Sequence, residues 1–119
     1  MIKIKFGVIR ENLELLFNIL GEASEYGIWS VFYGEEELEG LKSIRGKVGE
    51  LKLGLEKSGE ENAQLELNFK EGQVLKKVIV FYLTNNFKNL RRSQFETITD
   101  FILFIDDSLA YDLEEKGIQ

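Results

Sequence analysis

The sequence predicts an α+β fold: an antiparallel or mixed sheet of about five strands with two helices, in the order strand–helix–strand–strand–strand–strand–helix. Three observations predict it. Period-two alternation recurs near the N-terminus and through the middle of the chain, helical periodicity marks a segment near each end, and Glu71-Gly72 gives a two-residue hairpin signal between apolar runs. With 119 residues, 44% hydrophobic and 30% charged, the chain suits a single domain, residues 1–119, around one core.

Ile2, Ile4, Phe6 and Val8 alternate with Lys3, Lys5 and Gly7, the pattern of a strand buried on one face. From Glu11 the period changes. Leu13, Leu16, Phe17, Leu20 and Ala23 share a helical stripe, Glu11 and Glu14 sit near the positive end of the helix dipole, and the helix is expected to end near Gly21 or Ser24. Ile28 to Tyr33 is aromatic and β-branched between Gly27 and Gly34, and reads as the second strand. Residues 35–49, glycine-rich and charged, read as mostly loop.

Leu51, Leu53 and Leu55 alternate with Glu50, Lys52, Gly54 and Glu56, predicting a third strand with a bulge at Gly54. After a turn over Lys57 to Asn62, Ala63, Leu65, Leu67 and Phe69 give the fourth. In this reading the hairpin pairs Phe69 with Val74, Leu65 with Val78, and Glu66 with Lys77. The apolar run from Val78 to Leu83 then marks the fifth strand as central, covered on both faces.

Ser93-Gln94-Phe95-Glu96 has the spacing of a capping box with Ser93 as N-cap. Phe95, Ile98, Ile102, Ile105, Leu109 and Leu113 continue it as a long helix, stopped by Lys116-Gly117. Within it, residues 101–105 are apolar through more than one turn. Either the helix is clamped between the sheet and a neighbouring element, or Phe101 and Phe104 form a homodimer interface.

Several chemistries are excluded by composition. Without cysteine there is no disulfide, thiolate nucleophile or cysteine zinc site, and without histidine no Ser–His–Asp triad. No cofactor or metal motif stands out. Asp100, Asp106, Asp107 and Asp112 do not converge and read as a solvated face, and Gly40 to Lys47 misses the spacing of a phosphate loop. No apolar run approaches the ~18 residues of a membrane helix, and the first residues alternate where a secretory signal is continuous. Met1 is expected to be a true start, and the cytoplasm the default compartment. No catalytic residue is singled out.

Charge is more informative. Residues 11–41 carry Glu11, Glu14, Glu22, Glu25, Glu35, Glu36, Glu37 and Glu39 with no lysine or arginine, residues 93–119 are acidic, and residues 42–92 are mildly basic, within a net charge of −6. Such a field discourages nucleic-acid binding and speeds encounter with a basic protein. The first functional expectation is accordingly a non-catalytic binding protein of the immunity or antitoxin kind. Its partner-binding residues would be Glu22, Glu25, Tyr26, Trp29, Tyr33, Glu35, Glu36, Glu37 and Glu39, an acidic run beside aromatic anchors. The alternative is a small-ligand or anion-binding domain, enzymatic or not, using Lys88, Arg91 and Arg92 at the start of the last helix, where cations oppose the dipole unless an anion or an internal carboxylate compensates.

Overall fold

The computed structural model describes the backbone of residues 4–25 and 34–115, and their side chains apart from Phe6, Glu25, Phe87 and residues 111–115. Strand β1 (Ile4–Ile9) runs directly into helix α1 (Arg10–Glu25). Helix α2 (Glu35–Ser58), strand β2 (Asn62–Leu67), helix α3 (Phe69–Asn86), a 3-10 turn (Phe87–Asn89) and helix α4 (Arg92–Glu115) follow. The five-strand expectation is therefore corrected. The molecule is mostly helical, and among the described residues its sheet is two-stranded. The expected strand at Ile28 to Tyr33 and the stop at Lys116-Gly117 lie outside the described residues.

β1 pairs antiparallel with β2, Ile4 opposite Leu67 and Val8 opposite Ala63. Ile4, Val8, Leu65 and Leu67 are buried on the inner face, while Lys5 and Glu66 face each other outside with Nζ and Oε1 3.9 Å apart. Glu66 thus meets Lys5 instead of Lys77, and β2 has no hairpin partner downstream among the described residues.

The loop and third strand expected over residues 35–55 form one helix. Leu41, Ile44, Val48 and Leu55 recur at helical steps and are buried, with Leu38 and Leu51 packed beside them. Alternating leucines at 51, 53 and 55 imitate a strand, but Leu53 is exposed because it falls on the outer side of the helix. Glu35, Glu36 and Glu37 fill the first turn and Lys57 the last, matching the helix dipole. Gly59, at φ 75°, terminates α2 in the left-handed region and donates its N–H to the Leu55 carbonyl at 2.9 Å. Arg10 reinforces this end: its Nη2 donates to the carbonyls of Leu55 and Glu60, each at 2.8 Å, and its backbone N–H to that of Glu61 at 2.8 Å.

The hairpin expected at Glu71-Gly72 and the fifth strand after it are likewise one helix, α3. Val74, Leu75, Val78 and Ile79 are buried at the steps of a helix, with Phe81, Tyr82 and Leu83 partly buried. The apolar run is informative about position and misleading about conformation: α3 is central, touching α1, α2, α4 and β2. Gly72 is no turn residue. It is buried, and a Cβ there would collide with Ile4 Cδ1 and come within 3.3 Å of Leu109 Cδ2, so its missing side chain lets α3 approach β1 and α4. α2 and α3 run antiparallel: Glu37, Gly40 and Ser43 of α2 meet Lys77, Val74 and Glu71 of α3.

The N-cap of the last helix lies two residues before the expected Ser93, its first helical residue being Arg92. Phe95 N–H donates to the Arg91 carbonyl at 3.0 Å, and the Gln94 side chain accepts the Arg91 N–H at 3.1 Å, so Arg91 stands at the N-cap. Ile98, Phe101 and Ile105 face the core. No described helix is long and apolar enough to cross a membrane.

Candidate functional site

The side chains of greatest chemical interest gather where α2 crosses α3. Asn68-Phe69-Lys70-Glu71 closes a capping box around the start of α3: Asn68 Oδ1 accepts the Glu71 N–H at 2.8 Å, and Glu71 Oε1 accepts the Asn68 N–H at 3.0 Å. Helix geometry alone would leave Glu71 on the buried side. From α2, Lys47 Nζ donates to Glu71 Oε1 at 2.6 Å and Ser43 Oγ donates to Oε2 at 2.7 Å. Lys47 also reaches the Glu66 carbonyl of β2 at 3.1 Å, tying three elements together.

Glu71 is 4% exposed, the one buried charged side chain among the described residues. Burial pushes its carboxyl upward, but the hydrogen bonds from Lys47, the Asn68 N–H and Ser43, together with the Lys47 charge, outweigh it and hold Glu71 below the ordinary carboxylate value. The carboxylate is therefore ionised and accepts three hydrogen bonds. It borders an open cleft of about 470 Å³ that Lys47, Glu50, Gln64 and Glu66 also line. With three hydrogen bonds on its two oxygens joining α2 to the start of α3, Glu71 serves as a structural anchor. Sequence reading missed it, although Asn68 and Glu71 carry the same spacing that pointed to Ser93. The hairpin interpretation of Glu71-Gly72 concealed it.

The acidic residues singled out by sequence separate into groups. Glu36 Oε2 accepts from Lys70 Nζ at 2.7 Å, and Glu37 Oε2 from Lys77 Nζ at 2.7 Å, so both hold α2 against α3. The Lys70 hydrogen bond and charge lower Glu36. Glu37 is lowered by the Lys77 hydrogen bond, against some burial and with help from the Gly34 backbone, and Lys70 is raised in return by Glu36. Glu35 and Glu39 are exposed and make no ion pair among the described residues. Glu22 lies on α1, half-buried, near Tyr82, whose hydroxyl is raised by burial first and by the Glu22 charge second. Tyr26, Trp29, Tyr33 and the Glu25 side chain lie outside the described residues.

The basic start of α4 is exposed at Lys88, Arg91 and Arg92. Arg92 Nε lies 3.2 Å from Glu96 Oε1 one turn on, the internal pairing that answers its position against the dipole. Arg91 borders a hollow of about 310 Å³ together with Ser93 and Gln94, but Glu11 and Glu14 line the same hollow, so an anion there would face carboxylates. Among the described residues no group of three histidines, cysteines or carboxylates is placed to hold a metal.

The two phenylalanines expected at an interface part company. Phe101 is 7% exposed and belongs to the core, whereas Phe104 is 41% exposed, beside Leu103 at 57%. Asp100 and Asp107, one turn to either side, are exposed and make no ion pair among the described residues. Asp106 differs, being paired with Lys76 of α3. The outer face of α4 thus carries the apolar pair Leu103 and Phe104 with an exposed carboxylate one turn to either side. Comparison with protein-family models, curated proteins and solved structures gives no match for this chain.

Proposed function

We propose that this protein is a small, acidic, non-catalytic binding protein that covers a basic surface of another protein, in the manner of an immunity or antitoxin-type inhibitor. The observation that carries the reading is how the fold distributes its charge. Lys47, Lys70, Lys76 and Lys77 are engaged by Glu71, Glu36, Asp106 and Glu37, while Glu35, Glu39, Asp100 and Asp107 stay exposed with no cation of the described residues at ion-pair distance. The chain as a whole carries a net charge of −6, and such a field accelerates encounter with a positively charged partner. The cysteine-free composition suits a reducing cytoplasm.

The test is affinity capture of the intact chain from its native cell, followed by association kinetics of the recovered protein across ionic strength. The expected result is a basic partner whose association rate falls steeply as salt rises. A partner of neutral or acidic surface, binding at a salt-independent rate, contradicts it.

A further inference from the structure

The outward face of α4 follows from helical spacing. Glu96, Asp100, Leu103, Phe104 and Asp107 recur at three- and four-residue steps, opposite the side that buries Ile98, Phe101 and Ile105. All five are exposed, with Leu103 at 57% and Phe104 at 41%. An apolar pair framed by carboxylates is an unusual outer surface for a helix whose inner side is already packed on α3 and β1.

Charge decides what fits it. From Ser93 to Glu115 the chain contains no lysine or arginine, and Asp100 and Asp107 make no ion pair among the described residues. A second copy of the chain would apply this stripe to itself, because a two-fold interface brings the same patch together from both subunits. Antiparallel, centred on Leu103 and Phe104, it sets Asp100 against Asp107. Parallel, it sets Asp100 against Asp100. Either way carboxylates meet at the edge of an apolar contact, where desolvation strengthens repulsion. An anionic lipid surface is repelled for the same reason.

We propose that the outer face of α4, centred on Leu103 and Phe104 and framed by Asp100 and Asp107, is the docking surface for an amphipathic helix of a partner protein whose apolar stripe is flanked by lysines and arginines. The inference rests on the basic-partner reading above and gives it a location different from the acidic run at the start of α2. Leucines or other apolar anchors of the partner cover Leu103 and Phe104, and its cations reach Asp100 and Asp107.

The experiment titrates the intact, isotope-labelled protein with a synthetic amphipathic helical peptide of leucine and lysine, at about 0.15 M salt where long-range attraction is screened. Binding is mapped by amide chemical shifts, with a leucine–glutamate peptide as control. The expected result is a map centred on residues 100–107, no binding of the acidic peptide, and weakening by roughly tenfold or more in Asp100→Lys/Asp107→Lys and in Leu103→Ser. The charge-matched Glu56→Lys/Glu60→Lys, at the far end of α2, should bind as the parent does. All these side chains are exposed, and unchanged thermal unfolding confirms that each variant folds.

If the peptide binds elsewhere and the α4 variants bind it equally well, the location is wrong while the basic-partner reading stands. Failure to bind the basic peptide anywhere overturns both. A dimer seen by light scattering that Leu103→Ser converts to monomer overturns the location in favour of self-association.

Discussion

Glu71 shows how a single buried charge is made tolerable. An isolated carboxylate at that depth would shift upward and neutralise, but one lysine, one hydroxyl and one backbone N–H converge on it, so ionisation is favoured in the folded state. The consequence for acid stability has a definite sign. The folded value lies below the ordinary glutamate value of 4.5, so the contribution of Glu71 is complete above that pH and is lost as pH falls through the folded value. Glu71→Gln should therefore lower stability near neutral pH by about 1–2 kcal/mol, and the difference from the parent should shrink below pH 4.5. Urea unfolding across a pH series measures this. Curves that stay parallel into the acid range would show that Glu71 does not carry that pH dependence. A structural role also predicts that Glu71→Gln leaves binding at α4 unchanged in the peptide titration.

At the scale of elements, glycine separates a helix from a loop and strand over residues 35–55. Gly46 and Gly54 lie inside α2 with nothing within 4 Å of where an added methyl group would sit, so alanine there should stabilise by roughly 0.5–1 kcal/mol through helix propensity. Gly72→Ala gains the same propensity but drives a methyl group into Ile4 Cδ1, and should destabilise by about 1–2 kcal/mol on balance. Denaturant midpoints of the three variants test both signs. Loss of stability in the Gly46 and Gly54 variants would argue against a continuous α2.

These glycines also explain which elements are legible from sequence. β1, α1, β2 and α4 are readable because each has one buried face and a clean period, broken only at its ends. α2 is obscured by Gly40, Gly46, Gly49 and Gly54, of which Gly40 serves packing by admitting Val74 Cγ2. α3 is obscured by centrality, since burial against several neighbours fills positions that a one-sided helix leaves polar. Of the candidate site, the acidic character of the surface is legible. The division of its glutamates is not, because Glu36 and Glu37 acquire partners only when α2 lies along α3.

Over the described residues the carboxylates divide in two: some fasten helices together, and others are exposed without an ion pair and are, in the proposal above, left for a partner. The first class includes Glu36, Glu37 and Glu71, all bonded to lysines across the α2–α3 seam. The second includes Asp100 and Asp107 on α4. Electrostatic steering by the second class predicts that Asp100→Lys/Asp107→Lys slows association with a basic partner far more than it speeds dissociation, a difference stopped-flow mixing resolves. The most direct test of the division is a residue-resolved NMR titration of the side-chain carboxyl groups. Glu36, Glu37 and Glu71 are predicted to titrate below the ordinary value of 4.5, and titration of Glu36 and Glu37 at or above it would contradict the assignment of these residues to the fold.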